Sequence, residues 1–168
     1  MNITLEWQDP IKLIRSQHPG KIYDDSFLSD ISEEYGIYIF SRVYGGKYTP
    51  IYIGKSINLR GRLKSQMNNL KLISQVKDWH PNPNKVEAKK IINGKRVLLV
   101  GHVKAASAAS KEKAITLAEK GLIEHALSNG TRLLNIQGTL IKYHEIYSEN
   151  WPKMDGFEQE YLYLRRSK

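Results

Sequence analysis

The hydrophobic pattern predicts a pair of short strands near residue 40. Residues 37–44 are rich in β-branched and aromatic side chains and end at Gly45-Gly46, a pair typical of tight turns. Residues 50–53 supply the returning strand. This stretch therefore predicts two aromatic-rich strands joined by a glycine turn.

A basic helix is predicted directly after this pair of strands. Gly54 ends the second strand, and Asn58 is a favourable N-cap residue for a helix that continues to about residue 69. Apolar residues recur at helical spacing, while basic and polar residues occupy the other faces. The apolar positions are Leu59, Leu63 and Met67.

The middle of the chain predicts a second hairpin over residues 86–103. It turns at Asn93-Gly94, which is the strongest short hairpin signal. The second arm, residues 97–103, is the more apolar and is the candidate for a third core strand. The first arm is predicted to be a basic edge strand that carries Lys89 and Lys90.

Residues 107–127 have the longest helical pattern, and Gly130 is suitably placed as its C-cap. In the tail, residues 139–147 resemble a strand and residues 161–166 a helix. At the N-terminus, Pro10 predicts the first residue of a helix, and residues 26–34 predict a second helical turn. Both N-terminal segments are acidic, and we expect them to be peripheral.

These elements predict one α/β domain of the α+β kind over residues 1–168. Its core, about residues 35–136, would be a small mixed or antiparallel sheet of about three core strands flanked by helices, with the extra hairpin attached. Residues 1–34 would form an N-terminal helical extension and residues 137–168 a C-terminal extension.

Composition restricts the class of protein. The 168 residues include no cysteine, which excludes disulfides and thiolate metal sites and favours an intracellular protein. The first residues have no basic leader, and no segment approaches the roughly 18 consecutive apolar residues of a membrane helix. We therefore expect a soluble, cytoplasmic protein with no membrane partner.

The charge distribution indicates a polyanionic partner. The net charge is +9, but residues 1–35 carry seven acids against three bases. Residues 55–111 carry thirteen Lys and Arg against two acids, whereas residues 112–168 balance at eight of each. A single-sign block on a folded segment favours nucleic acid as partner, with a basic surface kept for solubility as the alternative.

Glu119 is the most unusual position of the long helix. At 100° per residue, four apolar side chains lie within about 60° of it, so the carboxylate sits in the middle of the apolar stripe. Burial there is costly unless a cation or metal is close. The alternative is a carboxylate at the end of the buried face that pairs with a lysine. The four apolar residues are Ile115, Leu122, Ile123 and Ala126.

Two tyrosines occupy corresponding places in the first pair of strands. Tyr38 and Tyr52 each stand in an Ile-Tyr-Ile triplet, so both point away from their isoleucine neighbours and can share a face. Taken alone, such tyrosines are usually packing residues, and Arg62 alone is usually a solvated base. A catalytic interpretation depends on the combination.

Two other chemistries are disfavoured. Gly54-Lys55-Ser56 is similar to the end of a P-loop, but Thr49 stands where that loop requires glycine. The histidines show no spacing typical of metal ligands. They are His18, His80, His102, His125 and His144.

The combination of residues resembles the GIY-YIG nuclease superfamily. Gly36-Ile37-Tyr38 and Tyr52-Ile53-Gly54 match its two tripeptides, and Lys55-Ser56-Ile57-Asn58-Leu59 matches their usual continuation. Arg62 has the family's spacing of ten residues from the second tyrosine. The segment Ala118-Glu119-Lys120-Gly121-Leu122-Ile123 is similar to the family's glutamate helix, and Asn135 would be its terminal asparagine, with Asn129 as competitor.

This chain departs from the family pattern in several places. The tripeptides and the Glu119-to-Asn135 interval are both further apart than usual. The proline that often precedes the asparagine is missing. Gln66 stands in the region where some members carry a histidine.

The resemblance implies a DNA endonuclease that uses one divalent metal, Mg²⁺ (or Mn²⁺). Glu119 would hold the metal, Tyr38 would be the general base, and Lys55 or the metal would lower its pKa from about 10. Tyr52 would orient the water or the phosphate, and Arg62 would stabilise the transition state. Asn135 would complete the catalytic set, and the products would carry 5′-phosphate and 3′-hydroxyl ends.

We expect nucleic-acid contacts along the segment after the second tripeptide and on the basic arm of the hairpin. The residues are Gly54, Lys55, Ser56, Asn58, Arg60, Lys64, Lys89 and Lys90. Double-stranded DNA is the favoured substrate, and an enzyme that cuts both strands at a symmetric site would be expected to act as a homodimer.

Two alternatives stay open from the sequence. One is a nuclease specific for single-stranded DNA or RNA, since aromatic and basic residues interleave in the tail. The other is a non-cleaving nucleic-acid-binding module of the same fold. A restriction, phage-borne, DNA repair or mobile-element role is compatible with a prokaryotic or phage-encoded chain. The tail aromatics are Tyr143, Tyr147, Trp151, Tyr161 and Tyr163.

Overall fold

The computed structural model describes residues 2–87, 90–105 and 107–135, and after them the backbone of two strands at residues 144–149 and 161–164. In chain order the elements are β1 (Asn2–Trp7), β2 (Ile11–Lys12), a 3₁₀ helix (Ser26–Asp30), β3 (Gly36–Tyr44), β4 (Lys47–Ser56), α1 (Leu59–Met67), α2 (Leu70–Asp78), β5 (Arg96–Lys104), α3 (Ala108–Ser128), β6 (His144–Glu149) and β7 (Tyr161–Leu164).

One sheet of seven strands organises this described part of the chain. Its order is β4-β3-β5-β1-β6-β7, with β2 paired to β5. The strand pairs are antiparallel except β1 with β6, which is parallel. The predicted α/β (α+β) class, a mixed sheet flanked by helices, is confirmed. The predicted core strands are β4, β3 and β5, and the other strands extend the sheet beyond them.

Helices cover both faces of β3. Ile37 and Ile39 pack with α3 on one face, whereas Tyr38 and Phe40 pack with α1 and α2 on the other. Successive side chains of a strand point to opposite faces, so this single strand contributes to both layers of the core. Residues 36–41 are consequently all buried.

The predicted N-terminal helical extension is wrong. Residues 2–7 and 11–12 are strands of the central sheet, and β1 lies between β5 and β6. Ile3, Leu5 and Trp7 are buried at alternate positions and pack in the α3 layer. The 3₁₀ helix Ser26–Asp30 is the only described part of residues 2–34 that matches the helical prediction.

The predicted hairpin over residues 86–103 is also wrong. β5 is confirmed as a core strand, but residues 86–87 and 90–92, the described part of the predicted first arm, form no strand, and β5 pairs with β3 and β1. Gly94 does turn with a positive φ of 79°, and its amide donates to Leu13 O (3.1 Å). The Asn93-Gly94 turn therefore leads a loop into β5 because the neighbouring strands come from elsewhere in the chain.

The helix predicted from Asn58 to about residue 69 is confirmed as α1, and α2, which the sequence analysis did not predict, follows it directly. Asn58 Oδ1 accepts a hydrogen bond from the Gly61 amide (2.9 Å) at the start of α1, and Asn69 Oδ1 accepts one from the Leu72 amide (3.1 Å) at the start of α2. A second N-cap side chain thus restarts the helix where the first one ends.

The long helix is confirmed as α3, with Ser107 as its N-cap and Gly130 at a positive φ of 77° after its end. The tail differs from the prediction, because residues 161–164 are strand β7 rather than helix. The predicted strand at 139–147 overlaps β6, and its residues 139–143 lie outside the described residues. None of the described helices is long and apolar enough to cross a membrane.

A buried ion cluster fixes the loop between α2 and β5. Glu87 accepts from Arg42 Nε (2.8 Å) and Arg96 Nη1 (3.3 Å). Arg96 also donates to the carbonyls of Val76 (2.8 Å) and Trp79 (2.6 Å) at the end of α2. Burial alone would raise the pKa of Glu87, but its hydrogen bond to Arg42 and the surrounding positive charges lower that pKa to about 2. The ionised carboxylate of Glu87 is therefore a structural group that holds this loop.

We expect Glu87→Gln to reduce the free energy of unfolding by about 3 kcal/mol at neutral pH. The pKa of Glu87 falls on folding from 4.5 to about 2, and a shift of this size contributes about that much stability to the ionised carboxylate. This stability is present above about pH 4.5 and is lost as the pH falls through about 2. Urea unfolding across this window should show the variant and the wild type converging in acid. Glu33→Gln, which breaks an exposed ion pair with Arg60, is the control and should change stability little. A constant difference at all pH values would contradict the assignment.

Candidate active site

The two tyrosines meet on one face of the β3-β4 hairpin, although not as direct partners. Tyr38 lies opposite Gly54, and Tyr52 lies opposite Phe40, so the tyrosines are diagonal neighbours. Their rings stack with centroids 6.1 Å apart and planes at 21°. The predicted shared face is confirmed. The sequence indicated corresponding places for the two tyrosines, whereas the strand register offsets them by two residues.

Gly54 makes room for the Tyr38 ring. A Cβ at Gly54 would lie only 2.5 Å from Tyr38 Oη, and the nearest ring carbon would be closer still. Gly36 is restricted differently, because a Cβ there would meet Leu59 at 2.6 Å and the backbone oxygen of Gly101. Close packing therefore requires glycine at both positions, Gly36 and Gly54.

We expect Gly54→Ala to displace the Tyr38 ring. Overpacking of this kind costs about 1–3 kcal/mol of stability, and the shift of the hydroxyl should also reduce the DNA cleavage that the resemblance implies. Thermal unfolding and cleavage assays on the variant measure the two effects. Gly20→Ala is the control, since nothing lies within 4 Å of a Cβ at that exposed position. Full activity in Gly54→Ala would show that the position of the ring is unimportant.

The Tyr38 hydroxyl lies in a buried polar pocket. The side chain is 0% exposed, and Gln66 Nε2 donates a hydrogen bond to its oxygen (2.8 Å). Burial and the neighbouring Tyr52 raise the pKa of Tyr38, while hydrogen bonds from Gln66 and Arg62 oppose the rise, and the result is about 12. Protein groups alone thus leave Tyr38 protonated at neutral pH.

Arg62 extends from α1 to the same hydroxyl. Its side chain is exposed, and its hydrogen bond with Tyr38 raises the pKa of the guanidinium. The charge of Glu119 contributes in the same direction, although Glu119 belongs to α3 on the other face of the sheet. Arg62 therefore interacts with both the tyrosine hydroxyl and the carboxylate.

Glu119 is buried in the apolar layer of α3, as its helical position predicted. It is 7% exposed, and burial raises the pKa of its carboxyl. The charge of Lys55, a hydrogen bond from the Lys55 backbone amide and the charge of Arg62 act in the opposite direction. The carboxylate is thus held at the edge of β4 by groups that favour its ionised form.

Lys55 does not act on Tyr38 in this arrangement. Its Nζ donates to Thr116 Oγ1 (2.7 Å), which in turn donates to Glu112 O (2.9 Å) within α3. The groups that lower the pKa of Tyr38 most are Gln66 and Arg62, whereas Lys55 lies opposite Ile37, whose side chain packs in the α3 layer. The expectation that Lys55 lowers this pKa is therefore corrected, and Lys55 instead ties β4 to the glutamate helix.

Asn135 fastens the outer edge of β4. Its Nδ2 donates to Ile53 O (2.5 Å) and its Oδ1 accepts from Ile53 N (3.2 Å), while the amide of Leu134 donates to Ile51 O (2.8 Å). Asn129 instead lies at the C-terminal end of α3, where its Nδ2 donates to His125 O (2.9 Å). Asn135 is thus the asparagine at the site, and its contacts position the strand between Tyr52 and Gly54.

The predicted nucleic-acid contacts divide into separate groups. Ser56 and Asn58 form the turn that begins α1, and Arg60 is tied to Ile31 O (2.6 Å). Lys64 is exposed on α1, close in sequence to Arg62. Lys90 is exposed in a groove beside Lys77 and Arg15, at the end of the sheet remote from Lys55, so the structure does not bring it to the site. Lys89 lies outside the described residues.

Two residues of the site went unassigned in the sequence. Gln66 has a detectable signal, since it follows Arg62 by four residues and lies 7% exposed beside Leu63. A polar side chain on the buried side of a helix requires a partner. Thr116 has no comparable signal, because only the packing of α3 on β4 brings it to Lys55.

The donor set fits a hydrated divalent cation. The described residues contain no group of three or more His, Cys, Asp or Glu that could hold a metal. Mg²⁺ commonly takes one or two carboxylates and completes its shell with water and phosphate oxygens. Glu119, a buried carboxylate at the edge of the sheet, is suited to that role.

Comparisons of the chain with protein-family models, with curated proteins and with solved structures find no match.

Proposed function

We propose that this chain is a metal-dependent endonuclease that hydrolyses phosphodiester bonds in DNA. The observation that supports the proposal most is that Arg62 of α1 hydrogen-bonds Tyr38 of β3 and interacts electrostatically with both Tyr52 of β4 and Glu119 of α3. These residues are far apart in sequence and are the ones that the resemblance to the GIY-YIG superfamily assigns.

In the proposed reaction, Tyr38 accepts the proton of the attacking water. Its oxygen already accepts hydrogen bonds from Gln66 and Arg62, an arrangement that favours the phenolate. Because the pKa of Tyr38 is about 12, a further positive charge near the hydroxyl is required at neutral pH. Tyr52, stacked on Tyr38 and half-buried, orients the water or the phosphate.

Arg62 binds the scissile phosphate in this scheme. The guanidinium has several donors in a fixed plane, so it can keep its contact with Tyr38 while another N–H contacts a phosphate oxygen. Its exposure leaves the outer side of the group open to substrate. Stabilisation of the charge that develops on the phosphate is the expected gain.

Glu119 would hold the metal ion. A bound Mg²⁺ (or Mn²⁺) supplies a Lewis acid for a phosphate oxygen and for the leaving 3′-oxygen. Lys55 and Asn135 hold β4 against α3 and against the 133–135 segment, so they keep Glu119 and Tyr52 in register. The expected products carry 5′-phosphate and 3′-hydroxyl ends.

Incubation of plasmid DNA with Mg²⁺ tests the proposal. Wild type should nick or linearise the plasmid, Arg62→Ala and Glu119→Ala should be inactive, and Arg15→Ala, an exposed base outside the site, should behave as wild type. Sequencing of the cleaved ends then reports strandedness and end chemistry. Binding without cleavage over a wide range of metal and salt would favour the non-cleaving module. Cleavage of only single-stranded DNA or RNA would favour the other alternative.

A further inference from the structure

A pocket of about 320 Å³ lies at the tip of the β3-β4 hairpin, beside the C-terminal end of α3. Its basic lining residues are Arg42, Lys47 and Arg132, and its lining includes no acid among the described residues. The aromatic residues of its wall are Tyr44 and Trp79. Its size falls within the range of sites for small ligands, and its charge suits a nucleotide.

A β-bulge aligns this pocket with the catalytic tyrosines. The register of β3 and β4 shifts after Phe40, so that Ser41 lies opposite Pro50 and Ile51 is the extra residue. Without the bulge, Thr49 and Tyr52 would point to opposite faces of the strand. With it, Thr49 lies opposite Arg42 and Lys47 opposite Tyr44, all on the face that carries Tyr52.

Tyr44 is held as a fixed aromatic platform. It is 70% exposed, and the Arg42 guanidinium lies over its ring, 5.0 Å from the centroid. Arg42 is in turn anchored by Glu87 (2.8 Å). The tight turn that follows has positive φ at both Gly45 (58°) and Gly46 (75°), as a rigid two-residue hairpin turn requires. The contact with Arg42 therefore positions the tyrosine ring without any ligand.

We propose that this pocket binds one unpaired nucleotide of the substrate strand, with its base stacked on Tyr44 and its phosphate near Lys47 and Arg132. The inference rests on the proposed nuclease function and specifies its substrate: DNA with an unpaired segment close to the scissile bond. A base stacks on a protein side chain only when it has left the helix, so a fully paired duplex cannot use the pocket.

The spacing sets the length of that segment. Thr49 is three residues before Tyr52, or roughly 10 Å along the strand, and Lys47 is roughly 17 Å away. A stacked nucleic-acid strand advances about 3.4 Å per nucleotide. The pocket therefore lies about three to five nucleotides from the scissile phosphate.

Binding of labelled DNA to the full chain, without divalent metal, tests the proposal. The probes are a blunt duplex and the same duplex with an unpaired 5′ or 3′ tail of one to about eight nucleotides. One tail polarity should increase affinity about tenfold once it exceeds about three nucleotides, and the gain should level off near five. Tyr44→Ala should abolish this gain and leave binding of the blunt duplex unchanged.

Matched variants separate stacking from charge. Tyr44→Phe should retain the gain and Tyr44→Leu should lose it, because only the former keeps the ring. Lys47→Ala should reduce the salt dependence of tailed-DNA binding by about one phosphate contact, whereas Lys12→Ala, an exposed lysine on β2, should not.

The outcomes distinguish this inference from the proposed function. If wild type cleaves DNA but neither tail increases affinity, or Tyr44→Ala keeps the gain, the nucleotide pocket is overturned and the nuclease stands. If the tail effect depends on Tyr44 while no DNA is cleaved, the pocket is supported and the nuclease fails. Absence of any DNA binding would overturn both.

Discussion

Glu119→Gln is expected to lower Mg²⁺-dependent DNA cleavage at least about a thousandfold, since the neutral amide removes the charge that would hold the metal. The stability of the fold should not decrease. Burial raises the pKa of Glu119, so its ionisation opposes folding as the pH rises through that pKa, and the amide avoids this cost. The variant should therefore unfold at the wild-type temperature or above it at neutral pH.

The matched control is Glu112→Gln, an exposed glutamate two turns earlier on α3. It removes one negative charge from the same helix without touching the site, and cleavage should be unchanged. Activity is measured over a series of Mg²⁺ concentrations. If Glu119→Gln cleaves DNA at the wild-type rate at low Mg²⁺, the carboxylate does not hold the metal.

Tyr38→Phe is expected to reduce cleavage by a factor of about 10² to 10⁴, the usual contribution of a general base. The ring and its packing over Gly54 remain, but the buried Gln66 amide loses its acceptor, so the free energy of unfolding should fall by about 1–3 kcal/mol. Tyr48→Phe, a half-buried tyrosine on the other face of β4, is the control and should retain activity. Unchanged cleavage by Tyr38→Phe would exclude the hydroxyl from the reaction.

The pH dependence of the rate tests the same assignment. A base acts in its deprotonated form, and with a pKa of about 12 the deprotonated fraction of Tyr38 grows tenfold per pH unit below that value. The logarithm of the rate should therefore rise with a slope near +1 from about pH 7 to about pH 10, unless the metal lowers the pKa into that range and the curve levels off. Gln66→Leu removes a hydrogen bond that lowers the pKa, so its rates should be lower at each pH with the same slope.

Much of the site could be predicted because its residues lie on elements with strong local patterns. Glu119 was selected by its angular position among apolar residues of one long helix, and it is indeed buried. The β3-β4 hairpin and α1 carry local turn and cap signals at Gly45-Gly46 and Asn58. Such signals act over a few residues, so they persist whatever the rest of the chain does.

The errors have a common physical cause. β1 was missed although Ile3, Leu5 and Trp7 alternate correctly, because a strand is stabilised by partners that here are distant in sequence. The Asn93-Gly94 turn predicted a hairpin, but the described residues of its first arm form no strand, since β5 pairs instead with β3 and β1. Local pattern does not identify the strand that will be adjacent.

The sequence by itself determined the α+β class and the core strands, because their periodicity, turns and caps are local properties of the chain, while the catalytic candidates came from its resemblance to the GIY-YIG superfamily. Tertiary packing decided how those candidates meet. It placed Tyr38 over Gly54, directed Gln66 and Arg62 to its hydroxyl, and turned Lys55, the residue after the second tripeptide, toward α3. A single extra residue in β4 set which side chains share the face of Tyr52, and strand register is settled only when both strands and their covering helices pack together.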